Sequence, residues 1–121
     1  MHGAPTTILV IERNDEVRDT VRRMLESAGH HVIATGVPAD GLSVLSRHRI
    51  DIVLTCRMHS VFENGLSLPA MIRAIQPRSA IVLSTGWSAE KVDPVPFDAV
   101  LPKPFTTAQL EATIAAVLRR S

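Results

Sequence analysis

The chain has 121 residues, 45% of them hydrophobic, a size and balance that suit one compact domain with a single core and leave no room for a second. Thirteen basic residues against twelve acidic ones, with no long run of either sign, argue against a general polyanion binder, so no nucleic-acid partner is expected. The one cysteine, Cys56, excludes an internal disulfide, and the longest apolar stretch, residues 8–11, is far short of the roughly 18 residues of a membrane span. Residues 1–7 (MHGAPTT) carry no export pattern, so a cytoplasmic location is expected.

In chain order, ILVI at 8–11 reads as a first strand. Val17, Val21, Met24, Leu25 and Ala28 then fall on one face of a helix, opened by Asn14 or Asp15 as cap and closed by Gly29. HVIA at 31–34 is a short second strand suited to an edge. Pro38 to Arg47 predicts a short helix with Gly41 in its interior. DIVLT at 51–55 is a third strand, and Ser67 to Ile75 a short helix whose Pro69 only a first turn tolerates. AIVLS at 80–84 and AVL at 99–101 complete the strands, the last again suited to an edge. The closing helix carries Leu110, Ile114, Val117 and Leu118, with Thr106 or Thr107 as cap and Arg119 and Arg120 at its negative end. The first, third and fourth strands are apolar at consecutive positions, as expected in the centre of a parallel sheet covered on both faces. Residues 1–121 thus read as one α/β domain.

Open parallel sheets place their sites beyond the carboxyl ends of the central strands. That rule selects Glu12, Arg13 and Asn14, Cys56 to Met58, and Thr85 with Gly86. Lys103, followed by Pro104 and Phe105, leans over the same crevice.

These residues carry a resemblance. With ILVI before a polar cluster, Arg18 on the first helix, AGHHV, DIVLT, NGL, LSTG, LPKPF and TTAQL, the chain resembles a response-regulator receiver domain (CheY-like) over essentially its full length. The resemblance implies a doubly wound, flavodoxin-like sheet of five parallel strands in the order 2-1-3-4-5. It also implies a pocket in which two acidic residues after the first strand hold a divalent cation and an aspartate ending the third strand takes a phosphoryl group from a histidine kinase. A Thr or Ser and a Lys engage the phosphoryl oxygens. Glu12, Thr85 and Lys103 match that pattern. Arg13 replaces the second acidic residue, Cys56 the phosphoacceptor, and Val100 the switch aromatic. Asp51, at the wrong end of its strand, and Glu63, in a loop longer than the family's, are poor substitutes. The stretch from Thr85 to Lys103 is shorter than in the family and contains Pro94 and Pro96, so its helix should be stunted or missing.

The family's pocket holds three carboxylates and one ammonium, a formal charge of about −2 that a hard cation neutralises. Here Glu12, Arg13 and Lys103 sum to +1 beside a neutral thiol. Magnesium binding is therefore expected to be lost, no cofactor is implied, and no catalytic residue is assigned. Arg13 is expected to stand where the metal would be and pair with Glu12, alone or with Lys103; the alternative is that it extends into solvent. Cys56 is expected to fill the space of an aspartate, the alternative being a thiol activated by Lys103 and Arg13 as a redox input. Burial should largely cancel those charges.

Among the remaining candidates, His30 and His31 point to opposite faces of an extended run and suit a solvated edge, and His48 in RHR ends a helix. Trp87 is either a partner anchor or a cover for a short loop, and Ala108, Ala112, Ala115 and Ala116 give the last helix a small apolar face open to a homodimer or partner. The combined expectation is a degenerate receiver (pseudo-receiver) of two-component phosphorelay signalling. It would bind a histidine kinase or output protein, with a cysteine-based redox sensor and a receiver with a non-standard acceptor as the alternatives.

Overall fold

A computed structural model of the protein describes residues 6–56, 67–86 and 96–119. The elements run β1 (Thr7–Ile11), α1 (Asp15–Ser27), β2 (His31–Thr35), α2 (Pro38–Arg47), β3 (Ile52–Thr55), α3 (Leu68–Ile75), β4 (Ala80–Thr85), β5 (Ala99–Pro102) and α4 (Thr107–Arg119). All strands are parallel, in one five-stranded sheet ordered β2-β1-β3-β4-β5. That is the expected order. The stretch in which a stunted helix was expected, residues 87–95, lies outside the described residues, as do Glu63 and Trp87.

Alternation along the strands explains the two-sided core. Ile8, Val10, Leu54 and Val82 face one side, where α1 adds Val21 and Leu25 and α4 adds Leu110, Ile114 and Val117. Leu9, Ile11, Val53 and Ile81 face the other, where α2 adds Leu42 and Leu45 and α3 adds Leu68 and Ile72. The central strands carry consecutive apolar residues because both faces are covered, with polar residues only at their ends.

Local signals set the helix ends. Asn14 accepts the Val17 N–H at 3.0 Å and opens α1, while Gly29, at φ 93°, ends it in the left-handed conformation that a side chain resists. Pro69 sits in the first turn of α3 behind Ser67, which caps the Ala70 N–H. Thr106 accepts the Gln109 N–H at 3.1 Å and Gln109 returns the bond to the Thr106 N–H at 2.8 Å, a reciprocal capping box before α4.

Gln76, just past α3, ties three segments together. Its amide donates to Leu45 O at 2.7 Å and to His48 O, and its carbonyl accepts from Ile50 N at 2.9 Å and from the Ser79 hydroxyl at 3.1 Å. The run from α2 into β3 thereby has its backbone groups satisfied without a regular turn.

Gly41 lowers helix propensity, yet a Cβ there would lie 2.7 Å from Ile11 Cδ1. The glycine lets α2 approach β1. Gly41→Ala should therefore destabilise the domain by up to about 2 kcal/mol, because overpacking against the fully buried Ile11 side chain, at about 1–3 kcal/mol, outweighs the roughly 1 kcal/mol gain in helix propensity. Urea denaturation of both forms measures the difference, and a more stable variant would contradict this packing.

Candidate functional site

Four strand ends converge at the carboxyl edge of the sheet, and main-chain bonds just past each strand hold their register. Glu12 N donates to Thr35 O at 3.0 Å, Cys56 N to Ile11 O at 3.2 Å, and Lys103 N to Thr85 O at 2.7 Å. Glu12, Cys56, Thr85 and Lys103 are thus carried on the ends of β1, β3, β4 and β5. Thr85 is buried; Val100, within β5 opposite Leu83, is half-buried.

Glu12 organises this edge. Its Oε1 accepts Lys103 Nζ at 2.8 Å and its Oε2 accepts the Asn14 N–H at 3.0 Å, and Cys56 lines the same small cavity as Glu12 and Lys103. The Glu12 side chain is only 10% exposed and that of Lys103 30%. Burial by itself would raise the Glu12 pKa, but the hydrogen bond from Lys103, the Asn14 N–H, the Lys103 charge and the thiol outweigh it and hold the carboxyl below its ordinary value. The Glu12 carbonyl is also engaged, by Arg18 Nη1 at 3.0 Å, and Arg18 Nη2 pairs with Asp15 at 2.6 Å. Gly36 makes room for that guanidinium, since a Cβ at 36 would lie 2.7 Å from Arg18 Nη1.

The Cys56 thiol moves in the opposite direction. Burial pushes its pKa up, a hydrogen bond from the Arg13 backbone pulls it down, the Glu12 carboxylate raises it further, and the Lys103 charge is the smallest influence. Burial therefore does more than cancel the cations, and the thiol is held protonated, the form that is neither a nucleophile nor readily oxidised. Beneath Glu12, Cys56 and Lys103 lies a cavity of about 10 Å3 bounded by Val21, Leu54 and the buried Ser84.

The structure corrects the role expected for Arg13. Its side chain is exposed and lines an open depression with Asp15, Arg18 and Asp40, and Lys103, not Arg13, is the cation on Glu12. Successive residues leaving a strand point to opposite sides, so a Glu12 turned inward turns Arg13 outward. His30 also departs from the solvated edge expected for it: its Nε2 lies 2.9 Å from Glu111 Oε1 on α4, with 13% of the side chain exposed. His31 and His48 are exposed, and so are Ala108, Ala112, Ala115 and Ala116 on α4. Asp51 lies at the amino end of β3, accepting the Thr7 N–H at 2.8 Å. No helix among the described residues is long and apolar enough to cross a membrane.

Two outcomes follow from this geometry. A carboxyl whose pKa is depressed by folding contributes stability that is present above its unfolded pKa, near 4.5, and is lost as pH falls through the folded value. Glu12→Gln should accordingly cost about 1–3 kcal/mol at neutral pH, typical of hydrogen bonds to charged groups, with the gap to wild type closing below about pH 4; urea titrations at both pH values measure it. Cys56 should react slowly with iodoacetamide at pH 7 and faster in Glu12→Gln, whereas fast alkylation that slows in Lys103→Ala would mean an activated thiolate.

The sequence profile of the response regulator receiver domain matches residues 8–115. Over 121 aligned residues the chain is 32% identical to the transcriptional regulatory protein CseB of Streptomyces avermitilis, covering 95% of this chain and 50% of that one. It is 29% identical to the response regulator MprA of Mycobacterium sp. (strain KMS), covering 97% and 52%. The chain therefore spans about half the length of these curated relatives. Its backbone superimposes on a receiver domain protein (CheY-like) of Methanospirillum hungatei JF-1 with a TM-score of 0.82 at 21% identity, covering 97% of this chain and 96% of the other. With the parallel sheet in this order and the Lys103 ammonium at its carboxyl edge, the chain belongs to the response regulator receiver domain family of two-component systems.

Proposed function

We propose that this chain is a receiver module that does not accept a phosphoryl group in the family's usual way and acts in the cytoplasm by binding a protein, a histidine kinase or an output protein. The observation that carries the reading is Cys56 at the end of β3, beside a carboxylate that already holds Lys103. A protonated thiol in place of an aspartate forms no acyl phosphate.

The donor set does not fit a magnesium ion. A hard divalent cation takes several oxygen ligands, and one carboxylate beside a thiol does not supply them. Both oxygens of Glu12 already accept hydrogen bonds, from Lys103 and Asn14, and Arg13 adds a guanidinium directed away. Lys103 supplies the positive charge that a metal would bring, so the edge is neutralised internally. Binding then rests on surfaces such as the exposed alanine face of α4, which is open to a partner or a second copy.

Phosphoryl incorporation from acetyl phosphate, read by intact mass with and without magnesium, tests this reading. Wild type should stay unlabelled. Cys56→Asp alone should also stay unlabelled, because Lys103 is at hand to pair with the new carboxylate and only Glu12 remains as a second acidic ligand. Adding Arg13→Asp removes the neighbouring guanidinium and brings the net charge of the edge to about −2, suited to a cation, and this double variant should label. A phosphoryl adduct on wild type would refute the proposal, and a single variant as fast as the double would show that the charge at position 13 is not what disables the pocket.

A further inference from the structure

The opposite end of the sheet carries a feature that the receiver pocket does not use. At the amino ends of the strands, Arg49, Ile50, Ile75, Gln76, Arg78 and Leu118 line a groove of about 780 Å3. Its floor is apolar, from Ile50, Ile75 and Leu118, and its polar backbone is already satisfied, since Ile50 N and O are bonded to Gln76 and Ser79. Its one carboxylate, Asp51, is engaged by the Thr7 N–H.

The charges around it are unbalanced. Elsewhere most of the described basic side chains find carboxylates: Arg18 has Asp15, Arg22 and Arg23 have Asp19, Arg73 has Asp98 and Lys103 has Glu12, the exposed Arg13 being the exception. Arg49 and Arg78 in the groove are exposed and, among the described residues, form no ion pair, and the same holds for Arg47 at the end of α2 and Arg119 at the end of α4. Because α2 and α4 run antiparallel to the strands, their carboxyl ends bring Arg47 and Arg119 to this same end of the domain. Cationic side chains there also answer the negative ends of the helix dipoles.

We propose that this groove is a docking surface for an acidic peptide segment of another protein, with carboxylates paired to Arg49 and Arg78 and an apolar side chain seated on Ile50, Ile75 and Leu118. Guanidinium groups suit bidentate carboxylate recognition, and a groove of this volume fits a few residues of extended chain. A nucleic acid is the poorer match: among the described residues the lining has no aromatic ring on which a base could stack, and the apolar floor offers nothing to a phosphate backbone.

The test titrates the full 15N-labelled chain with a capped peptide of alternating glutamate and leucine, an all-glutamate peptide of equal length, and a duplex DNA oligonucleotide. The mixed peptide should shift the amides of residues 49–51, 75–78 and 118–119, with affinity falling at least about tenfold between about 50 and 500 mM salt. Arg49→Glu with Arg78→Glu should weaken it at least about tenfold, and Arg49→Gln with Arg78→Gln by less, each variant keeping the wild-type circular dichroism and melting temperature. If the charge-reversed pair unfolds, the glutamine pair decides. The proposal fails if the mixed peptide causes no shifts, shifts only residues at the carboxyl edge of the sheet, or binds the glutamine pair as tightly as wild type. It also fails if the all-glutamate peptide or the oligonucleotide binds as tightly, because charge alone would then explain the contact.

Discussion

The ion pair between Lys103 and Glu12 joins the end of β5 to the end of β1 across the two strands between them. A half-buried ammonium and a nearly buried carboxylate would each be costly alone, and together they hold each other in the charged state. The same carboxylate receives the Asn14 N–H at the start of α1, and its residue's carbonyl receives Arg18. The β1–α1 connection is thus held by the Glu12 side chain at Asn14 and by its main-chain carbonyl at Arg18. The acid at this position is paired with a lysine from the far edge of the sheet.

The sequence made most of this architecture legible, for reasons visible residue by residue. ILVI, IVL and AIVL are apolar without a break because both faces of β1, β3 and β4 are covered, and the periodicity of Val17, Val21 and Leu25 marks a helix whose ends Asn14 and Gly29 announce. Strand order then brings Glu12, Cys56, Thr85 and Lys103 to one edge. The direction of Arg13 was not legible from the resemblance, which placed it inside by analogy with an acidic ligand, whereas alternation at the strand end turns it out. The contact between His30 and Glu111 joins residues 81 apart and leaves no local pattern to read. Gln76 is similar: a polar residue after a helix looks like ordinary surface until the carbonyls of Leu45 and His48 are found beside it.

The two ends of the sheet solve different electrostatic problems. At the carboxyl edge, charges are drawn together and neutralise one another around Glu12, while along the exposed face of α1 Arg22 bridges Asp19 and Glu26 in pairs that contribute little to stability. At the amino edge, the side chains of Asp51, Gln76 and Asp98 are spent on main-chain donors, Thr7 N, Ile50 N and Ile81 N, where strands begin without a preceding hydrogen-bond partner. Two of the acids near that edge are thus committed to the backbone, and the arginines around them keep an unneutralised field.

The seating of Cys56 also bears on heredity. No single-nucleotide change turns a cysteine codon into an aspartate codon, and the shortest routes pass through glycine or tyrosine. Glycine would remove the thiol from Glu12, loosen the end of β3 and widen the small cavity above Val21 and Leu54; tyrosine would have to place a ring where that cavity admits about 10 Å3. Either intermediate disturbs the packing before a carboxylate could appear. A codon path from Cys56 to an aspartate therefore runs through side chains whose volume this site does not match.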